Sequence, residues 1–318
     1  MKQKFTNRPG ADQHRYRPDV VWTFTVPDNS GTEPQEPLQL LSYLISVLTD
    51  QKRTSVKEML KHNQVLVNGQ IATQHNTALN PGDVVKVNFT REFRVFRHRR
   101  MQIVYEDDDI IVAHKGYGLL SMGTGREQHT QEETAYSILR EYVKWQNPRN
   151  KIFIVHRLDR DTSGLMLFAK TVEAKESLQH NWNNMVLQRK YVALVEGTPD
   201  PAEGTVRSYL KENSKHEVYS VKEPADDAQL AVTRYRTLRS GGGYSLMEVE
   251  LDTGRKNQIR VHMKDLGHPI AGDRRYGASR SPLHRLALHA QTLRFVHPVT
   301  RKDMNFSTPV PPRFLSAL

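Results

Sequence analysis

The chain has no cysteine among its 318 residues, so disulfides, thiolate zinc sites, iron–sulfur clusters and a cysteine nucleophile are all excluded. Long apolar runs are missing too: nothing approaches the roughly 18 uninterrupted apolar residues of a membrane-spanning helix. The opening MKQKFTNRPG lacks the apolar core of a secretion signal, which predicts a cytoplasmic protein. Acidic residues are outnumbered, 35 Asp and Glu against 46 Lys and Arg, for a net charge of +11 and an isoelectric point near 9.7. That excess predicts a polyanionic partner, with RNA, DNA and anionic lipid as the candidates. There is no Walker loop, no GxGxxG after a strand, no HExxH, no calcium loop and no GxSxG elbow. His284 and His289 lie five apart with no third ligand evident, so they are read as surface or structural histidines and no metal site is expected.

What is present suggests two domains, at about 150 residues each. Residues 1–37 carry Pro9, Pro18, Pro27, Pro34 and Pro37 around one extended patch, VVWTFTV, which suits an edge strand in an otherwise loose N-terminal extension. Leu40, Leu41, Leu44, Ile45 and Leu48 then recur at helical spacing, as do Val56, Met59 and Leu60. Asn68-Gly69 within QVLVNGQI predicts a tight hairpin, and Pro81-Gly82-Asp83 a turn into a last strand. This stretch, about 38–90, resembles the αL RNA-binding module first seen in a small-subunit ribosomal protein. The resemblance implies that Arg53, Lys57 and Lys61, along one helix face, bind RNA; a solvated helix face is the plainer alternative. Two positions depart from the module: no arginine starts the first helix, and Asn63 stands where a glycine normally turns the chain. The following run, REFRVFRHRR (91–100), interleaves arginines with Phe93 and Phe96, a pattern suited to phosphates and unpaired bases or to a plain basic linker.

Beyond Met101 short strands dominate: IIVAHK, IFIVHRL, GLMLFAK, KYVALVEG, AVTRYRTL, YSLMEVEL, QIRVHM and RLALHA. The clearest helix is 172–187, with Leu178, Trp182 and Met185 on one face. Strands and helices do not alternate regularly, so the fold class is α+β, with a mixed, largely antiparallel sheet.

The chemistry concentrates in VHRLDRDTSGLMLFAK (155–170), where an apolar stretch ends in His156-Arg157-Leu158-Asp159 and Gly164 precedes a second one. In strand register Arg157 and Asp159 point the same way, and a guanidinium there favours the ionised carboxylate, as a nucleophile or base requires. A structural salt bridge in a turn is the alternative. Asp159 and Asp161 are too close on one loop to flank a sugar as a glycosidase pair.

This loop resembles the HRLDxxTSG signature of the RluA-type RNA pseudouridine synthases. KYVALVEG (190–197), TGRKNQIRVHMKDLGHPIAGDRRYG (253–277) and RLALHAQTLRFVHP (285–298) are similar to three further segments of that family, in the same order, so that the resemblance covers 101–318. It implies isomerisation of uridine in RNA with Asp159 as the essential residue. By the same resemblance Tyr191 would stack on the uracil and assist with the C5 proton, Arg260 would pair with Asp159, Ile259 would pack against the base, and Arg157 would take up space or phosphate charge when the base leaves the helix. The isomerisation is redox-neutral and implies no cofactor and no metal. The implied partner is structured RNA, first of all large-subunit ribosomal RNA, with transfer RNA as the rival substrate. A catalytically silent RNA-binding or ribosome-assembly factor is the alternative of another class. Asn257 stands where the family more usually has histidine, and Gly116 where it has proline. The expected organisation is an extension (1–37), an αL-type module with a basic linker (38–100) and a catalytic domain (101–318).

Overall fold

Helical spacing of leucines and two tight turns organise the first part of the chain. The computed structural model describes residues 20–28, 38–93, 96–123 and 132–318. By its contacts the chain divides into two units, Met1–Phe96 with Gln146–Pro148, and Arg97–Trp145 with Arg149–Leu318. The first unit comprises β1 (Val21–Thr25), β2 (Leu38–Gln39), α1 (Leu40–Val47), α2 (Arg53–Lys61), β3 (Val65–Val67), β4 (Gln70–Ile71), β5 (Ala78–Leu79) and β6 (Val84–Asn88). Leu40, Leu41 and Leu44 of α1 and Val56 and Leu60 of α2 share a core with Val65, Val85 and Val87. Asn68 and Gly69 both take positive φ, 50° and 78°, the mirror-image turn that a two-residue hairpin between β3 and β4 requires. Asn63, at φ 55°, makes the left-handed turn after α2 that asparagine tolerates better than most residues.

The extension needs a correction. VVWTFTV does form an edge strand, but it pairs along β6 in the sheet β1-β6-β3-β4, so the unit starts before residue 38. The partner lies far along the chain, beyond the reach of local pattern. The rest of the extension, residues 1–19 and 29–37, lies outside the described residues, as do Arg94 and Val95 of the arginine-rich run.

The second unit contains β7 (Met101–Glu106), β8 (Ile110–Lys115), α3 (Ala135–Gln146), β9 (Phe153–Ile154), β10 (Ser163–Ala169), α4 (Val172–His180), α5 (Trp182–Met185), β11 (Val186–Glu196), β12 (Glu203–Glu212) and β13 (Val218–Val221). It continues through β14 (Gln229–Gly241), β15 (Tyr244–Leu251), α6 (Gln258–Asp265), a 3-10 turn (Arg274–Tyr276), β16 (Leu288–Val296), β17 (Asp303–Ser307) and α7 (Pro312–Leu315). One sheet runs β13-β12-β14-β15-β11-β16-β10-β8-β7, with β17 on β16 and β9 on β10. Its pairs are antiparallel except β10 with β16, so the unit is α+β on a mixed, largely antiparallel sheet. Among the described residues no helix is long and apolar enough to cross a membrane.

Several expected elements differ. QIRVHM is not a strand but most of α6: Ile259, Val261 and Met263 alternate in sequence, yet Gln258 before them and His262 among them are buried as well, and a helix accommodates all five. IFIVHRL contributes only Phe153–Ile154 to the sheet, and Arg157–Asp159 lie in a loop. The helix expected over 172–187 breaks at Asn181 and gives way to β11 at Val186. RLALHA becomes strand only from Leu288.

Candidate active site

The loop between β9 and β10 carries Asp159 and is gripped on both sides of it. Ser121 Oγ donates to the carbonyl of Leu158 at 2.6 Å and accepts from its N–H at 3.1 Å. On the other side the fully buried Lys115 donates from Nζ to the carbonyls of Arg160 (3.0 Å), Leu119 (2.7 Å) and Gly116 (3.1 Å). Burial pulls the Lys115 ammonium down to about 7, against the charges of Asp161 and Asp159, which favour it. His156 Nε2 accepts from Leu167 N–H at 2.9 Å, tying the loop's entry to β10; burial first, then the charge of Arg189, holds this imidazole down to about 3 and keeps it neutral.

At the loop's exit Gly164 has φ 124°, and a Cβ there would stand 2.2 Å from the carbonyl oxygen of Ala290, so only glycine lets β10 meet β16. Arg285 Nη2 donates to Ser163 Oγ at 2.7 Å, Ser163 meets His289 Nδ1 at 2.9 Å, and His289 Nε2 meets Thr308 Oγ1 at 2.9 Å. Neutral His289, held down to about 3 by burial, thus links the loop to β16 as a structural residue. His284 is exposed in a turn.

Asp159 opens onto a cleft that also takes in Arg157, Tyr191, Asn257, Ile259 and Arg260. Its side chain is 27% exposed, with Oδ2 3.6 Å from Arg260 Nη1. Arg260, in the first turn of α6, is held mainly by another acid: Asp273, only 1% exposed, takes Nε at 2.7 Å and Nη2 at 2.8 Å in a two-pronged pair. Asn257 Oδ1 accepts from Nη1 at 3.1 Å, and the guanidinium lies 4.7 Å over the Tyr276 ring. Tyr191 projects from β11, between Val249 of β15 and Ala290 of β16, and is half-buried. Burial, with Asp159 adding to it and Arg189 opposing, pushes the phenol up to about 12, so it stays protonated at neutral pH. Ile259 is buried beside it in the core that underlies the cleft. Arg157 is exposed at the cleft and has no ion pair among the described residues.

Five of the eight residues singled out from the sequence therefore meet in one cleft: Asp159, Tyr191, Arg260, Arg157 and Ile259. Arg53, Lys57 and Lys61 are exposed on α2 in the first unit. The strand register that would align Arg157 with Asp159 is absent, because these residues lie in a loop, and the guanidinium next to Asp159 is that of Arg260. Sequence reasoning missed Asp273, Lys115, Ser121 and Arg285. Asp273 sits in GDRRYG, the end of the family-like segment 253–277, and Lys115 stands just before Gly116; each stretch supplied a signal. Asp107, Asp109 and His297 come close enough together to ligate a cation. Asp107, however, already accepts from two backbone N–H groups, Tyr105 and His297.

Comparison with known proteins supplies the context for this cleft. The sequence profile described as RNA pseudouridylate synthase matches residues 109–265. "Uncharacterized RNA pseudouridine synthase YlyB" of Bacillus subtilis (strain 168) is 32% identical over 298 residues, covering 89% of this chain and 94% of the relative. "Ribosomal large subunit pseudouridine synthase D" of Vibrio cholerae is 35% identical over 286 residues, 83% of this chain and 85% of the relative. Among solved structures, "Human RNA Pseudouridylate Synthase Domain Containing 4" superposes with a TM-score of 0.56 at 25% identity, over 68% of this chain and 90% of that one.

Proposed function

We propose, on the premise that this chain belongs to the RNA pseudouridylate synthase family and is an RNA-modifying isomerase, that Asp159 is its essential residue and large-subunit ribosomal RNA its substrate. In this reaction the N1–C1′ bond of a uridine breaks, the uracil turns while bound, and a C5–C1′ bond forms as C5 gives up its proton and N1 takes one. The atoms of substrate and product are the same, so the chemistry asks for positioned acid–base groups beside an extruded nucleotide.

The observation that carries the reading is the placement of the Asp159 carboxylate, exposed to a cleft, beside a fixed cation and a phenol. Arg260, anchored by Asp273, holds positive charge 3.6 Å from Asp159. Tyr191 presents a protonated phenol to the base and takes part in handling the C5 proton. Ile259 forms the apolar wall, and Arg157 receives phosphate charge as the nucleotide leaves its stack. The first unit acts as an αL-type RNA-binding module through Arg53, Lys57 and Lys61. Ribosomal RNA is favoured over transfer RNA by the relatives named for the large ribosomal subunit, and the enzyme works in the cytoplasm.

The test is tritium release from RNA labelled at uracil C5. Wild-type protein releases tritium; Asp159→Asn releases none yet binds the same RNA. Full activity in that variant removes Asp159 from its role, and no release by the wild type on any RNA leaves a binding protein only. Mapping pseudouridines with and without the gene assigns the substrate: loss from large-subunit RNA is expected, and loss from transfer RNA alone refutes the choice.

A further inference from the structure

We infer that Asn257 is a positioning residue for the isomerisation, fixing the Arg260 guanidinium so that one Nη1 hydrogen remains directed at Asp159. The inference deepens the proposed function and rests on the roles assigned there to Asp159 and Arg260. Asn257 precedes the first turn of α6 in the left-handed conformation, φ 54°, which asparagine adopts more readily than most residues. The amide is buried and used at both ends: Oδ1 accepts from Arg260 Nη1 at 3.1 Å, and Nδ2 donates to the Tyr276 hydroxyl at 3.0 Å. Tyr276, whose ring the guanidinium covers, accepts a further hydrogen bond from Val218 N–H at 3.3 Å, so the amide is anchored to the sheet edge.

The arrangement accounts for every nitrogen of the guanidinium. Asp273 takes Nε and Nη2. Nη1 carries two hydrogens; Asn257 takes one, and the other is left for the carboxylate 3.6 Å away. A neutral acceptor is what this position needs. It holds the guanidinium in plane without adding a third negative charge that would compete with Asp159 for it. Glycine would keep the backbone and lose the hold; aspartate would keep the shape and compete.

Two variants separate these effects. Asn257→Gly retains the left-handed backbone at no steric cost and removes only the amide. It is expected to lower kcat for tritium release about tenfold, a size typical of a misplaced group, while the Kd for RNA stays within about twofold. Asn257→Asp adds a carboxylate next to Arg260 that competes with Asp159 for the Nη1 hydrogens. Its kcat is expected to fall about tenfold as well, with the Kd for RNA again within about twofold, a split that a purely structural role for the amide would not produce. Wild-type kcat in Asn257→Gly overturns the inference, and so does wild-type kcat in Asn257→Asp. Should the glycine variant fail to fold, the split between kcat and Kd in the aspartate variant decides alone. An inactive Asp159→Asn alongside either negative result leaves the proposed function intact; an active one overturns both.

Discussion

The cations of the cleft and those of α2 are held in opposite ways. Arg260 is 16% exposed and spends its guanidinium on Asp273, Asn257, the Tyr276 ring and the approach of Asp159. Lys61 is 70% exposed and meets Glu58 at 3.5 Å, while Arg53 and Lys57 are exposed with no ion pair among the described residues. A buried, multiply bonded cation is costly to strand, so it acts as a fixed component of chemistry. An exposed cation contributes little to stability and interacts through screened charge, which suits it to a mobile polyanion. Under the proposed function, the difference teaches that the same residue type would serve rate in one unit and affinity in the other.

The sharpest way to break this comparison is at Asp273. Asp273→Ala leaves the Arg260 guanidinium buried without its main partner, and breaking a buried pair from one side costs roughly 3–5 kcal/mol. The freed guanidinium also leaves Asp159, so kcat should fall about a hundredfold or more. Urea unfolding and tritium release measure both. A variant with wild-type stability and turnover would mean that the cleft cation is no more fixed than those on α2.

A smaller effect tests whether α6 is rigid because its inner face is committed. His262 is fully buried, with Nδ1 2.8 Å from Thr233 Oγ1 and Nε2 3.0 Å from Ser208 Oγ. Burial, only partly offset by Asp265, pulls it down to about 4. Since the folded value lies below the ordinary 6.5, the unfolded chain binds the extra proton first. The contribution to stability is therefore complete above about pH 6.5 and is lost as pH falls toward 4, amounting to about 2–3 kcal/mol at pH 4.5. His262→Gln should show a correspondingly smaller drop in urea midpoint between pH 7 and 4.5 than the wild type. Equal drops would show that α6 gains nothing from a neutral imidazole.

How much of this was legible beforehand follows the same division. Asp159, Tyr191 and Arg260 could be named because four segments occur in a fixed order, and the antiparallel α+β class because short strands outnumber helices. The helix α6 was misread because Ile259, Val261 and Met263 alternate like a strand, and all three are indeed buried. What makes the segment helical is the left-handed start at Asn257 and the hold on Gln258, whose side chain bonds Thr253, Arg255 and Thr233. Asp273 and Lys115 were hidden for a related reason. Charged residues read as surface until distant chain encloses them, and Lys115 meets the Arg160 carbonyl 45 residues on. The exposed face of α2 needed no tertiary information, since spacing alone aligns Arg53, Lys57 and Lys61.

That exposed face yields the smallest predicted effect and the cleanest contrast with the cleft. In the triple variant Arg53→Ala, Lys57→Ala, Lys61→Ala no buried partner is stranded, because Val56 and Leu60, not the cations, face the core. The fold should therefore be unchanged. If each cation neutralises one phosphate, the slope of log K against log salt should become shallower by about 2–3, as expected from roughly 0.7–0.9 per contact. Because the loss is in association and not in the geometry around Asp159, kcat at saturating RNA should stay within about twofold of wild type. A drop in kcat with an unchanged salt slope would assign these three residues to positioning, and the division of labour between the two kinds of cation would fail.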